Sequence, residues 1–65
     1  MGWAPEKIQA ELIIRRKSQT NLAKQLGVSV QSVNKVIKNQ MTSRRIRKKI
    51  AKEIGTSVKE IWPAA

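Results

Sequence analysis

Neither cysteine nor histidine occurs in this chain of 65 residues. The first absence removes disulfide staples and thiolate metal sites. The second removes the commonest metal ligand and the side chain that most readily carries protons near neutral pH. Aromatic residues are confined to Trp3 and Trp62, and prolines to Pro5 and Pro63. Strand-like alternation persists nowhere, and no apolar run approaches the roughly 20 residues that span a bilayer. The N-terminus also lacks the charged-then-apolar pattern of a secretory signal. What these gaps leave is an all-α domain spanning residues 1–65, a compact bundle of short helices expected in the cytoplasm and stabilised by packing alone. A chain of this length buries only about 60% of the surface its unfolded form exposes, so the core has to be small.

Acids are scarce as well: Glu6, Glu11, Glu53 and Glu60 stand against 14 lysines and arginines, a formal net charge of +10. The four carboxylates are scattered, no glycine-rich phosphate loop is present, and no serine or lysine nucleophile has an identifiable base. An enzyme is therefore not expected, nor a cofactor, a metal or a small-molecule ligand. So much like charge on so small a body repels itself, and a polyanion lying against it relieves that repulsion.

Helix punctuation is dense. Pro5 suits the first position of a helix reaching to about Arg16, with Trp3 placed to staple onto Ile8. Ile8 and Leu12 form its inward pair, and Glu11 and Arg15 its supporting charge pair at the same four-residue spacing. Ser18 caps a second helix through Leu26, with Leu22, Ala23 and Leu26 facing inward, and Gly27 takes the left-handed conformation that ends it. Ser29 is a new cap immediately afterwards, with Val28 positioned to staple onto Val33. The stretch 19–37 is thus two helices meeting at a built turn. Ser43 caps a fourth helix whose stripe is Ile46, Ile50, Ala51 and Ile54, ending at Gly55. Ser57 and Glu60 form a capping box for a last short helix with Val58, Ile61 and Trp62, which Pro63 stops. Ile13 and Ile14 are surplus apolar residues on the first helix, expected to pack under the C-terminal helix, with a dimer contact as the alternative.

The third helix, about Val30 to Lys38, turns Val33, Val36 and Ile37 inward. Gln31, Lys35 and Lys38 point the other way, with Asn34 at the flank. Amides pair with adenine and ammonium groups with guanine in the major groove, so this outward face carries a base-reading menu. On its own it also describes any solvated helix face. Val30 is double too, either a contact to a thymine methyl or part of the core edge. Between positions 44 and 52 lie six cations: Arg44, Arg45, Arg47, Lys48, Lys49 and Lys52. Arg44 and Arg45 sit in a first helical turn, where cations oppose the helix dipole by about 0.3–1 kcal/mol each. The placement becomes favourable when phosphate lies near Ser43 to Arg45.

The run Gln19-Thr20-Asn21-Leu22-Ala23-Lys24-Gln25-Leu26-Gly27-Val28-Ser29, continued by Val33 and Val36, closely resembles the helix-turn-helix of lambda-repressor-like DNA-binding domains. Residues Ile50 to Gly55 are similar to that family's fourth helix. Trp3, Leu12 and the terminal Ile61-Trp62-Pro63 resemble, more narrowly, the Ner family of phage Mu-type regulators and their bacterial Nlp relatives. The resemblance implies a sequence-specific regulator of double-stranded DNA, a repressor of phage or prophage type, with a homodimer on DNA as an open alternative. It places base contacts on Val30, Gln31, Asn34 and Lys35, and phosphate contacts on Gln19, Ser29, Lys38, Arg44 and Arg45. Two rivals use the same composition without a base code: a nonspecific nucleic-acid-binding or packaging protein, and a membrane-active cationic peptide built on residues 44–54.

Overall fold

Four serines start four of the five helices. The computed structural model describes residues 2–63, with α1 at Pro5–Ile14, α2 at Gln19–Leu26, α3 at Val30–Ile37, α4 at Arg44–Ile54 and α5 at Val58–Ile61. The hydroxyls of Ser18, Ser29, Ser43 and Ser57 accept from the backbone N–H of Asn21, Ser32, Ile46 and Glu60, each satisfying one donor that a helix start leaves without a partner. Only the hydroxyl half of the expected capping box at α5 forms, since the Glu60 carboxylate makes no return bond to Ser57. α1 has no side-chain cap at Ala4 and relies on Pro5 instead, whose missing N–H and fixed φ suit that position.

Four helix ends share one geometry. After α2, Gly27 lies at φ 70°, and the N–H groups of Gly27 and Val28 return to the carbonyls of Lys24 and Ala23. After α4, Gly55 and Thr56 repeat this pattern onto Lys52 and Ala51. After α3, Asn39 takes the left-handed place at φ 61°, and after α1 it is Arg16 at φ 57°. The bonds Gln40 N–H to Lys35 carbonyl and Lys17 N–H to Leu12 carbonyl, both 2.8 Å, close those two ends. This corrects two expected boundaries: α1 stops at Ile14 rather than near Arg16, and α3 at Ile37 rather than at Lys38. Satisfying the last carbonyls in this way outweighs the cost of a side chain at positive φ.

The core is almost wholly aliphatic. Ile8 and Leu12 from α1, Leu22 and Ala23 from α2, and Val33, Val36 and Ile37 from α3 meet Ile46, Ile50, Ala51 and Ile54 of α4, and Ile61 closes the set. Truncating one buried isoleucine to alanine costs about 2–5 kcal/mol, against about 0.2–1 kcal/mol for an exposed ion pair, so packing holds this fold. The termini are clipped together where the Trp3 N–H donates to the Ile61 carbonyl at 3.0 Å. Trp62 is buried and Trp3 half-buried against the core. Lys7 lies 4.3 Å from the ring centre of Trp3, and the Arg47 guanidinium 5.1 Å from that of Trp62.

Ile13 and Ile14 do not pack under the C-terminal helix; each is 72% exposed. α1 buries the face defined by Ile8 and Leu12, and the next two residues stand about 100° and 200° around the helix from Leu12. The left-handed turn at Arg16 then carries the chain away before any element covers them. Arg16→Gly relieves the strained φ without touching the core, and is expected to raise unfolding stability by about 0.5–1 kcal/mol in urea titrations.

One tertiary ion cluster crosses the bundle: Glu53 on α4 meets Lys17 of the α1–α2 loop at 3.2 Å and Lys49 at 3.4 Å. The bond from Lys17, reinforced by Lys49, holds the Glu53 carboxyl below its ordinary range. Its stabilising effect is thus complete above the unfolded-state value of about 4.3 and is lost as the pH falls through the lower folded-state value. Glu53→Gln should cost up to about 1 kcal/mol at pH 7, with the difference from wild type shrinking below about pH 4. Thermal melts across pH 2 to 7, a range bracketing the ordinary glutamate value, measure both arms.

Candidate nucleic-acid interface

α2 and α3 are each other's closest neighbours in the fold. Ala23 is buried in the core, 2% exposed. Leu22 of α2 and Val33 of α3 are buried in the same core, and half-buried Val28 of the turn packs against it. With the left-handed Gly27 ending one helix and the Ser29 hydroxyl starting the next, α3 leaves the turn at a new angle. Burying Val33, Val36 and Ile37 then forces the opposite side of α3 outward.

That side forms an open depression of about 500 Å³ lined by Gln19, Val30, Gln31, Asn34, Lys35 and Gln40. All four residues expected to contact bases are gathered there. Val30 is 41% exposed and belongs to this surface rather than to the core edge. Gln31 and Lys35 are exposed and Asn34 is half-buried, its Nδ2 donating to Oε1 of Gln19 at 3.2 Å. Gln40 is the member that sequence reasoning missed. Its signal was Asn39, a residue tolerant of the left-handed conformation, which folds the chain back so that Gln40 rejoins the end of α3.

Ser29, Lys38, Arg44 and Arg45 are exposed but lie outside this lining. The Ser29 hydroxyl is engaged as the cap of α3 and lies 2.9 Å from the Ser32 hydroxyl. Arg45 carries a role that the sequence did not disclose: its Nη2 donates to the Leu26 carbonyl at 2.7 Å, tying the start of α4 to the end of α2. The six-cation run is therefore divided by task. Arg45 braces the turn, Arg47 covers Trp62 and Lys49 pairs with Glu53. Arg44, Lys48 and Lys52, spaced four apart, form an exposed row with no ion-pair partner among the described residues. Like charges at that spacing destabilise a helix by about 0.2–0.5 kcal/mol per pair, so folding alone does not account for the row.

The capped bend, the close α2–α3 packing and the free polar side of α3 define a helix-turn-helix DNA-binding domain. The chain matches the family model described as winged helix-turn-helix DNA-binding over residues 2–64, and it belongs to that family. No strand forms among the described residues, so the wing in the family's description has no counterpart in them. No curated protein and no solved structure matches the chain. No helix among the described residues is long and apolar enough to cross a membrane.

Arg45→Ala should lower the melting temperature of the DNA-free protein by a few degrees, since a charge-assisted hydrogen bond worth about 1 kcal/mol is lost. Arg44→Ala, which removes only an exposed cation, should leave it unchanged or slightly raised. Equal melting temperatures for the two variants would remove the bracing role from Arg45.

Proposed function

We propose that this DNA-binding domain is a sequence-specific regulator of transcription, a repressor of phage or prophage type acting in the bacterial cytosol, which inserts α3 into the major groove and occludes a promoter. The observation that carries this reading is the gathering of Val30, Gln31, Asn34 and Lys35 on one exposed depression of the helix after the turn. Amides, an ammonium and a small apolar side chain are the groups that distinguish base edges. Ser29, Lys38, Arg44 and Arg45 flank this face as phosphate ligands, and Gln19 serves the backbone from its edge. The Ner-like ends of the sequence support the repressor assignment, and the exposed Ile13 and Ile14 support a homodimer on DNA.

Both rivals meet a physical objection. A nonspecific packaging protein needs charge but not a grouped set of amides. A membrane-active helix needs a free apolar face, whereas Ile46, Ile50, Ala51 and Ile54 of α4 are buried in the core.

Selection of bound duplexes from a random pool tests the proposal: it should yield a defined site, and a pool returned without sequence preference would favour the packaging rival. With about five phosphates neutralised per subunit, log affinity should fall against log salt with a slope of about −4.5. Gln31→Ala and Lys35→Ala should each lose about 1–3 kcal/mol of discrimination at one base position. Arg44→Ala should weaken all sequences alike and reduce the salt slope by about one.

A further inference from the structure

Ile13 and Ile14 are each 72% exposed, and two such side chains adjoining on one helix leave an apolar patch open to water. At about 100° per residue both stand within about 60° of Ala10, and Glu6 lies on the same side one turn nearer the N-terminus. All four residues are exposed. We propose that this side of α1 is the surface on which a second copy of the chain docks, the two α1 helices lying antiparallel about a twofold axis at Ala10. This pairing gives the homodimer proposed above its surface, and it rests on that reading for the arrangement on DNA.

The patch is complementary to itself. Contact across a twofold axis is isologous, the same patch being used by both copies. Ala10 is the small residue at the centre, where packed helices lie about 8–10 Å apart, and the isoleucines beside it cover the partner's Ala10. Glu6 and Ile14 stand about 6 Å along the axis to either side of Ala10, so Glu6 lies level with the far end of the partner's α1. Arg16 is an exposed cation at that end. Among the described residues neither Glu6 nor Arg16 has an ion-pair partner, and the antiparallel arrangement supplies one to each.

The patch is also well placed. Ile13 lines a hollow of about 150 Å³ with Gln9, Leu12, Lys17 and Gln19, and Gln19 belongs to the depression on α3 as well. The patch therefore borders the surface offered to DNA. A twofold axis perpendicular to both α1 helices keeps that bordering surface on the same side in both copies, so both face one duplex. Two bodies of net charge +10 repel each other, and a ten-residue helix offers less than the roughly 800 Å² per partner of a stable interface. Pairing is thus weak in free solution, and it strengthens when a duplex neutralises the charge and raises the local concentration.

Cysteine is absent from the chain, so Ala10→Cys introduces a unique thiol at the axis. Facing Cα atoms, each about 2.3 Å from a helix axis, then come within reach of a disulfide's Cα separation of about 4.4–6.8 Å. Under mild oxidation Ala10→Cys should cross-link about tenfold faster than Gln25→Cys, an exposed position on α2, and a duplex carrying two adjacent copies of the selected site should speed it further. Ile13→Ser with Ile14→Ser, which leaves the core intact, should remove that advantage. On the same duplex the wild type should bind with about tenfold cooperativity. Glu6→Arg and Arg16→Glu should each reduce it and together restore it, whereas a mere change of net charge would move the two single variants in opposite directions. Cross-linking of Ala10→Cys no faster than of Gln25→Cys, with no cooperativity on a duplex that the protein reads specifically, would overturn the pairing and leave the proposed function intact. Binding to phosphatidylglycerol vesicles that needs Ile13 and Ile14, without any excess cross-link, would overturn it in favour of an anionic membrane surface. A specific cross-link in a protein indifferent to base sequence would uphold the pairing and sink the sequence-specific reading.

Discussion

The mutual packing of α2 and α3 is the constraint on which the rest of the structure depends. Two eight-residue helices are too short to be stable alone in water, so each needs neighbours to cover its apolar side, and each packs most extensively on the other. Gly27 and Ser29 make that packing possible, the first by accepting a left-handed backbone and the second by capping a helix two residues later. Once Val33, Val36 and Ile37 are committed to the interior, the remaining side of α3 has nowhere to go but outward. The outward polar face of α3 is thus a by-product of packing.

Charge is then distributed over a frame that packing has already set. A domain with fourteen cations and, among the described residues, no buried polar or charged residue gains little from electrostatics in isolation. Some cations have been given structural work nonetheless. Arg45 satisfies a carbonyl at the end of α2, Arg47 lies over Trp62, and Lys17 and Lys49 converge on Glu53. Those left over, such as Arg44, Lys48 and Lys52, form an exposed row on α4 with no ion-pair partner among the described residues. Division of labour within one basic run reconciles a marginal core with a strongly positive surface.

Much of the architecture was readable along the chain because its signals are local. Serine caps, the two left-handed glycines and the apolar spacing of each helix act within a few residues of themselves, so the five helices and most core residues follow from short windows. The two helix ends that differ from expectation fall where a non-glycine residue takes the left-handed position, Arg16 and Asn39; asparagine is tolerant of that conformation, whereas arginine gives no such signal. Ile13 and Ile14 stay exposed for a different reason. Hydrophobicity says that a residue gains by burial, but whether any element arrives to cover it depends on where the chain goes next.

The sequence by itself determined the helical class, the broken helix at residues 19–37, the outward amide-and-ammonium face of α3 and the excess of positive charge, since each follows from residue type and spacing. Only the tertiary structure decided that Gln40 returns to the depression on α3, that Asn34 is held by Gln19, and that Arg45 is a brace as well as a cation. These are contacts between groups distant along the chain or separated by a turn, and they exist only once packing has fixed the distances between helices.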